Sequence, residues 1–119
     1  PICPIFNAGR SEIATALFQS KDGKWQKLTG EHITTIDELC SKLKNKTIFC
    51  GQITEEIASQ LKSNLGDKAI VAQGALLMRR AGYLAELGWK RLTNGEADDA
   101  ATLQPLYLKK PAITKPKQK

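Results

Sequence analysis

At about Thr35 the apolar residues change their period, and that change limits the folds open to this chain more than any other feature. Before it, short apolar runs are separated by tight-turn residues. Ile2–Phe6 reads as a strand, Asn7-Ala8-Gly9-Arg10-Ser11 as a turn, and Glu12–Gln19 as a second strand carrying Ile13, Ala14, Ala16, Leu17 and Phe18. Asp22-Gly23 is a two-residue hairpin signal, and Lys24–Leu28 returns as a third strand anchored by Trp25. An antiparallel meander is predicted. Pro4 cannot donate to a ladder, which predicts an edge position or a strand end for the first run.

After Thr35, helix and strand patterns alternate. Thr35 and Glu38 form a capping box, with Ile36, Leu39, Cys40 and Leu43 following on one helical face. Lys46–Cys50 reads as a strand closing at Gly51. Thr54 then caps a second helix that has Glu55 and Glu56 in its first turn, Ile57, Leu61 and Leu65 on its buried side, and Gly66 as its stop. Ala69–Ala72 is a short strand, and Gly74 to about Leu92 reads as one long helix rich in small residues, ending at Asn94-Gly95. The predicted class is α/β. Three antiparallel strands followed by alternating helices and strands is the order of the ribonuclease-H-like, actin-like (ASKHA) domain, whose mixed sheet continues in parallel with helices on its faces.

A length of 119 residues suits one such domain. The net charge of +6 invites a nucleic-acid reading, so where the charge sits matters. Residues 1–108 hold 13 Lys and Arg against all 12 acids, a net of +1. The other five positive charges are Lys109, Lys110, Lys115, Lys117 and Lys119. The division is therefore a folded domain over 1–108 and a Lys/Pro-rich tail over 109–119, expected to be disordered. Such a tail could neutralise a few RNA phosphates, but no aromatic residue stands among its lysines to stack on bases. Three cysteines (Cys3, Cys40, Cys50), an odd number without C-x-x-C spacing, point to a reducing compartment, so a cytoplasmic location is expected. No apolar run is long enough to span a membrane. An opening on Pro1 without Met leads to the expectation of a longer parent chain.

Catalytic constellations are not evident. The first and fourth strands carry no carboxylates for a two-metal nuclease. His32 is the one histidine and reads as an exposed loop residue, so neither metal ligands nor catalytic residues are assigned. Cys50 reads as a structural thiol, with no cation placed to activate it. Gly51 and Gly74 lie between strand and helix, where phosphates often bind, but outside any G-x-G-x-x-G or Walker pattern. Arg79 and Arg80 read as solvated helix-face residues.

Two segments resemble a known family. Phe6-Asn7-Ala8-Gly9-Arg10-Ser11-Glu12-Ile13-Ala14-Thr15-Ala16-Leu17-Phe18 is similar to the opening of the second domain in the TsaB (YeaZ) family. Leu103-Gln104-Pro105-Leu106-Tyr107-Leu108-Lys109-Lys110-Pro111 resembles that family's closing Pro-x-Tyr-Leu-Arg signature. Asn7 stands for the usual Asp, Gly9 for Arg, Ala14 and Phe18 for tyrosines, and Lys109 for Arg. The resemblance implies the C-terminal domain of a two-domain, actin-like protein, a catalytically degenerate relative of the transferase TsaD. Such a protein would act with TsaD and the ATPase TsaE as a scaffold in making threonylcarbamoyladenosine in tRNA. The parent complex would use ATP and Mg²⁺, and this domain no cofactor of its own. The alternative it implies is an enzyme, either a TsaD-like threonylcarbamoyl transferase or the M22 glycoprotease of an older classification. In actin-like folds the first hairpin of the second domain contacts nucleotide phosphates, which makes Asn7 and Gly9 cofactor-binding candidates, with Gly51 added from its place between strand and helix; Asn7 lacks the charge that would help hold Mg²⁺, so the site reads as degenerate. Glu12 and Tyr107 would be structural, the first fixing the hairpin and the second packing at the domain's end.

Overall fold

A computed structural model describes residues 1–109 of the chain. Its elements are β1 (Ile2–Gly9), β2 (Glu12–Lys21), β3 (Lys24–Thr34), α1 (Ile36–Lys42), β4 (Thr47–Gly51), α2 (Glu55–Leu65), β5 (Ala69–Val71) and α3 (Ala81–Thr93), with single 3-10 turns at Gly66–Lys68 and Gly74–Leu77. One five-stranded sheet runs in the order β3-β2-β1-β4-β5. The first three strands are the predicted antiparallel meander, and β1, β4 and β5 continue it in parallel.

Pro4 lies in a central strand, not at an edge. The ladder between β1 and β2 pairs Ile2 with Phe18 and resumes at Ile5 with Thr15, with no bridge recorded at Pro4. The Thr15 hydroxyl donates to the Pro4 carbonyl at 2.7 Å, so that carbonyl keeps a partner where the ladder is interrupted.

Helices α1 and α2 pack on one face of the sheet. Their caps form as the sequence dictates: Thr35 accepts from the Glu38 amide and Thr54 from the Ile57 amide, both at 3.3 Å. Glu38 does not complete the capping box. Its carboxylate instead accepts from the Thr34 hydroxyl at 2.9 Å, tying α1 to the end of β3. Beneath the helices Cys3, Ile5, Ile13, Phe49 and Ala69 meet Ile36, Leu39, Cys40 and Leu61 in one buried cluster. Burial at roughly 25 cal/mol per Å² of apolar surface makes this cluster the domain's main source of stability.

Two predicted features come out differently. Trp25 is 62% exposed and anchors nothing. It pairs with Ser20, whereas β1 reaches only as far as Phe18, so the end of the β2–β3 hairpin overhangs the sheet with nothing beneath it. The long helix from Gly74 is broken at Met78–Arg80, and every residue of α3 is exposed. Among the described residues, no helix covers the sheet face opposite α1 and α2. Ile48 and Ile70 stand 39% and 45% open there.

Cys3 is fully buried, its sulfur 3.1 Å from the Thr15 hydroxyl, and burial pushes its thiol from the ordinary 9.0 up to about 11. Burial raises Cys40 and Cys50 as well. A thiol that ionises later in the folded than in the unfolded state holds its proton in the fold over the intervening range. Stability is thus complete below about pH 9 and falls as pH rises toward 11. Urea midpoints at about pH 8 and about pH 10.5 are expected to show this loss, and Cys3→Ala is expected to flatten it. An unchanged slope in that variant would show that Cys3 is not its source.

Candidate functional site

Asn7, Gly9 and Gly51 come together at the carboxyl ends of the adjacent parallel strands β1 and β4, where open α/β sheets place their ligands. Two clefts meet there, and Asn7 lines both. One, of about 290 Å³, lies between the β1–β2 turn (Gly9, Arg10, Ser11, Glu12) and α2 (Glu56, Ile57, Gln60). The other, of about 300 Å³, lies over Gly51, Gln52 and Ile53 and reaches Leu77.

The β1–β2 turn carries strain. Arg10 and Ser11 both adopt positive φ (54° and 62°), the geometry of a two-residue hairpin normally built from Asn-Gly or Asp-Gly. The β2–β3 turn uses the preferred pair, Asp22 and Gly23, for the same purpose. The unfavourable version is the one on the cleft rim, and such outliers cluster at functional sites. A bulge between Asn7 and Gly9 leads into it. The Asn7 side-chain carbonyl accepts from the Gly9 amide at 2.7 Å, and the Asn7 amide donates to Gln52 Oε1 at 3.1 Å. Gln52, the residue that joins the two strand ends, carries no local signal for this role in the sequence. Its partner lies 45 residues away.

The donor set does not suit a magnesium–nucleotide group. The Asn7 carbonyl is engaged by Gly9, and Glu12 is ion-paired with Lys109. The N-terminus of α2, which faces the cleft, has Thr54 on one amide and Glu55 and Glu56 in its first turn, which repel a phosphate. Among the described residues no three His, Cys, Asp or Glu side chains stand together as a metal centre. What the rim offers is neutral hydrogen bonding from Gln52 and Ser11, one guanidinium at Arg10, and the carboxylates of Glu12 and Glu56.

The remaining sequence candidates lie elsewhere. His32 is on β3, half-buried and paired with Thr15, with Nδ1 2.8 Å from the Gly30 carbonyl, and not in an exposed loop. Cys50 is half-buried with its thiol raised, the opposite of an activated nucleophile. Gly74 opens a 3-10 turn. Arg79 and Arg80 precede α3, with the Arg79 guanidinium 5.3 Å from the centre of the Phe6 ring. Glu12 holds the hairpin opposite Gly9 and pairs with Lys109. Tyr107 is 80% exposed, so it does not pack at the domain's end; Leu108 is half-buried and lines a cleft with Phe6 and Phe18. Of the 109–119 tail only Lys109 falls within the described residues. No described helix is long and apolar enough to cross a membrane.

No protein-family model matches the chain. A curated relative from Bacillus subtilis, named tRNA threonylcarbamoyladenosine biosynthesis protein TsaB, is 30% identical over 111 residues, covering 91% of this chain and 47% of the relative. The chain thus spans about half the length of that protein. A crystal structure from Pseudomonas aeruginosa, described as an uncharacterized protein with similarity to peptidase YEAZ, superposes with a TM-score of 0.64 at 15% identity, covering 91% of this chain and 49% of the other. That likeness shows a shared fold. The 30% identity runs over nearly the whole of this sequence; along that span the chain belongs to the TsaB (YeaZ) family.

Proposed function

We propose that this chain is a non-catalytic scaffold domain in the biosynthesis of threonylcarbamoyladenosine in tRNA. The observation that carries the reading is its 30% identity, over 91% of its length, to the Bacillus subtilis protein named for that pathway. The strand order β3-β2-β1-β4-β5 supports assigning the mixed sheet to the actin-like class, as the C-terminal half of a two-domain parent. The rim chemistry supports a binding role. Cys50 is not activated, His32 is bound to a backbone carbonyl away from the clefts, and neither faces a partner that could form a nucleophile–base pair. TsaD and TsaE would be reached through the parent in the cytoplasm. ATP and Mg²⁺ would be handled by those partners, and tRNA by the complex as a whole.

The test is nucleoside analysis of tRNA from a host in which the gene is deleted and no paralogue remains. Threonylcarbamoyladenosine is expected to disappear and to return on re-expression of the parent gene. Normal levels in the deletion would overturn the proposal. A purified parent that cleaves peptides or hydrolyses ATP at a rate abolished by Asn7→Ala would instead establish the enzyme reading.

A further inference from the structure

On the sheet face opposite α1 and α2, aromatic side chains line up with no core to join. Cys3, Ile5 and Ile13 lie beneath the helices, so strand alternation turns Phe6 and Ala14 to the other side. Phe18 follows on β2, and with Phe6, Ala14 and Leu108 it lines a cleft of about 250 Å³. Ser20, two residues further on, pairs with Trp25, which puts the indole on the same face as Phe18. Along the sheet, the step from Phe6 to Phe18 is about 13 Å and from Phe18 to Trp25 about 7 Å.

Basic groups border this row. The Arg79 guanidinium lies 5.3 Å from the centre of the Phe6 ring, and Lys27 Nζ lies 6.0 Å from that of Phe18. Lys21 and Lys24 are paired directly opposite each other at the hairpin end, beside Trp25. Like charges so placed destabilise a strand pair, and an anion between them removes the cost. Among the described residues neither lysine is ion-paired, and Asp22 is the one acid between Phe18 and Leu28. Glu31, the carboxylate that lines the cleft, is held by Lys27 at 2.5 Å.

We infer that this face is a stacking platform for an unpaired stretch of RNA. Trp25 and Phe18 each carry a base, the Arg79 plane carries another over Phe6, and Lys21 and Lys24 take phosphates. A single strand meets both requirements at once, with flat bases for the rings and phosphates for the cations. An acidic peptide answers only the charge, and a duplex hides its base faces. The choice of RNA over DNA rests on the pathway proposed above. The 109–119 segment has lysines without a ring among them, whereas Lys21–Lys27 interleaves lysine with Trp25.

Fluorescence anisotropy of a labelled 12-nucleotide oligouridylate with the full 119-residue chain tests this. At low salt a Kd of about 10–100 μM is expected, in the range of sequence-blind binding. A 12-base-pair RNA duplex should bind about tenfold more weakly or worse. Trp25→Ala should weaken the single strand about five- to a hundredfold, and Trp25→Phe should hold it within about threefold. Trp25 is 62% exposed and outside the core, so its loss leaves the fold intact. Arg79→Gln should lower the slope of log K against log salt by about 0.7. Lys110→Gln, Lys115→Gln, Lys117→Gln and Lys119→Gln, made together, should leave the preference for the single strand in place. Equal binding of single strand and duplex, unchanged affinity in Trp25→Ala, or loss of the preference with the tail lysines overturns the inference. Tighter binding of oligothymidylate than of oligouridylate overturns the assignment to RNA. Failure of the pathway reading is seen separately, as normal threonylcarbamoyladenosine in the deletion host.

Discussion

Gly51→Ala is expected to destabilise the domain by roughly 2–6 kcal/mol, from about 1–3 for the backbone conformation and a similar cost for overpacking. Gly51 has φ +96°, and a Cβ built on it would stand 2.5 Å from the Ile5 carbonyl oxygen. Neither strand can easily give way. Ile5 is the parallel partner of Gly51, its carbonyl accepts the Gln52 amide at 2.8 Å, and β1 is held on its other side by β2. Gly9→Ala is the internal comparison. Gly9 also has positive φ, +77°, but a Cβ there meets nothing within 4 Å, so only the conformational cost of about 1 kcal/mol remains. Urea unfolding of both variants measures the difference. Equal midpoint shifts would show that the close approach of β1 and β4 carries no energetic weight. The same experiment bears on the clefts, because Gly51 sets the spacing between Asn7 and Gln52.

What could be read in the sequence was what local chemistry specifies. Asp22-Gly23 marked its hairpin because few residue pairs tolerate two positive φ values, and Thr35, Thr54 and Gly66 marked helix ends because orphan amides and carbonyls need partners there. Asn7–Ser11 was legible as a turn, but not as a two-residue hairpin at Arg10-Ser11, since those residues do not prefer the geometry that the flanking strands impose. Trp25 misled because a large apolar residue implies a core only if something lies beneath it, and strand overhang depends on the length of β1 rather than on β3. The segment after Gly74 misled for a related reason. Its alanines and leucines suit a helix throughout and mark no break, and among the described residues α3 has no partner to fix its limits. The triad Asn7, Gly9 and Gly51 was traceable through the turn glycines and the family resemblance. Gln52 was not, because its contact joins residues far apart in sequence.

The same contrast between local pattern and tertiary support governs the second large effect, Phe49→Ala. Phe49 is fully buried in the middle of β4, between Cys3 on β1 and Val71 on β5, beneath the helices. Removing its ring should cost about 3–5 kcal/mol, a large share of the roughly 5–15 kcal/mol that holds a domain folded. Little can offset the loss. The buried apolar core among the described residues runs from Cys3 to Ala72, and α3 contributes no buried side chain to refill the space. Ile48, one residue earlier, points to the opposite sheet face and is 39% exposed, so Ile48→Ala should cost about 1 kcal/mol. Calorimetric melting of the two variants reads the ratio directly. If Ile48→Ala proved as damaging as Phe49→Ala, the second face of the sheet would have to be covered in solution. A severalfold difference between the variants leaves that face open.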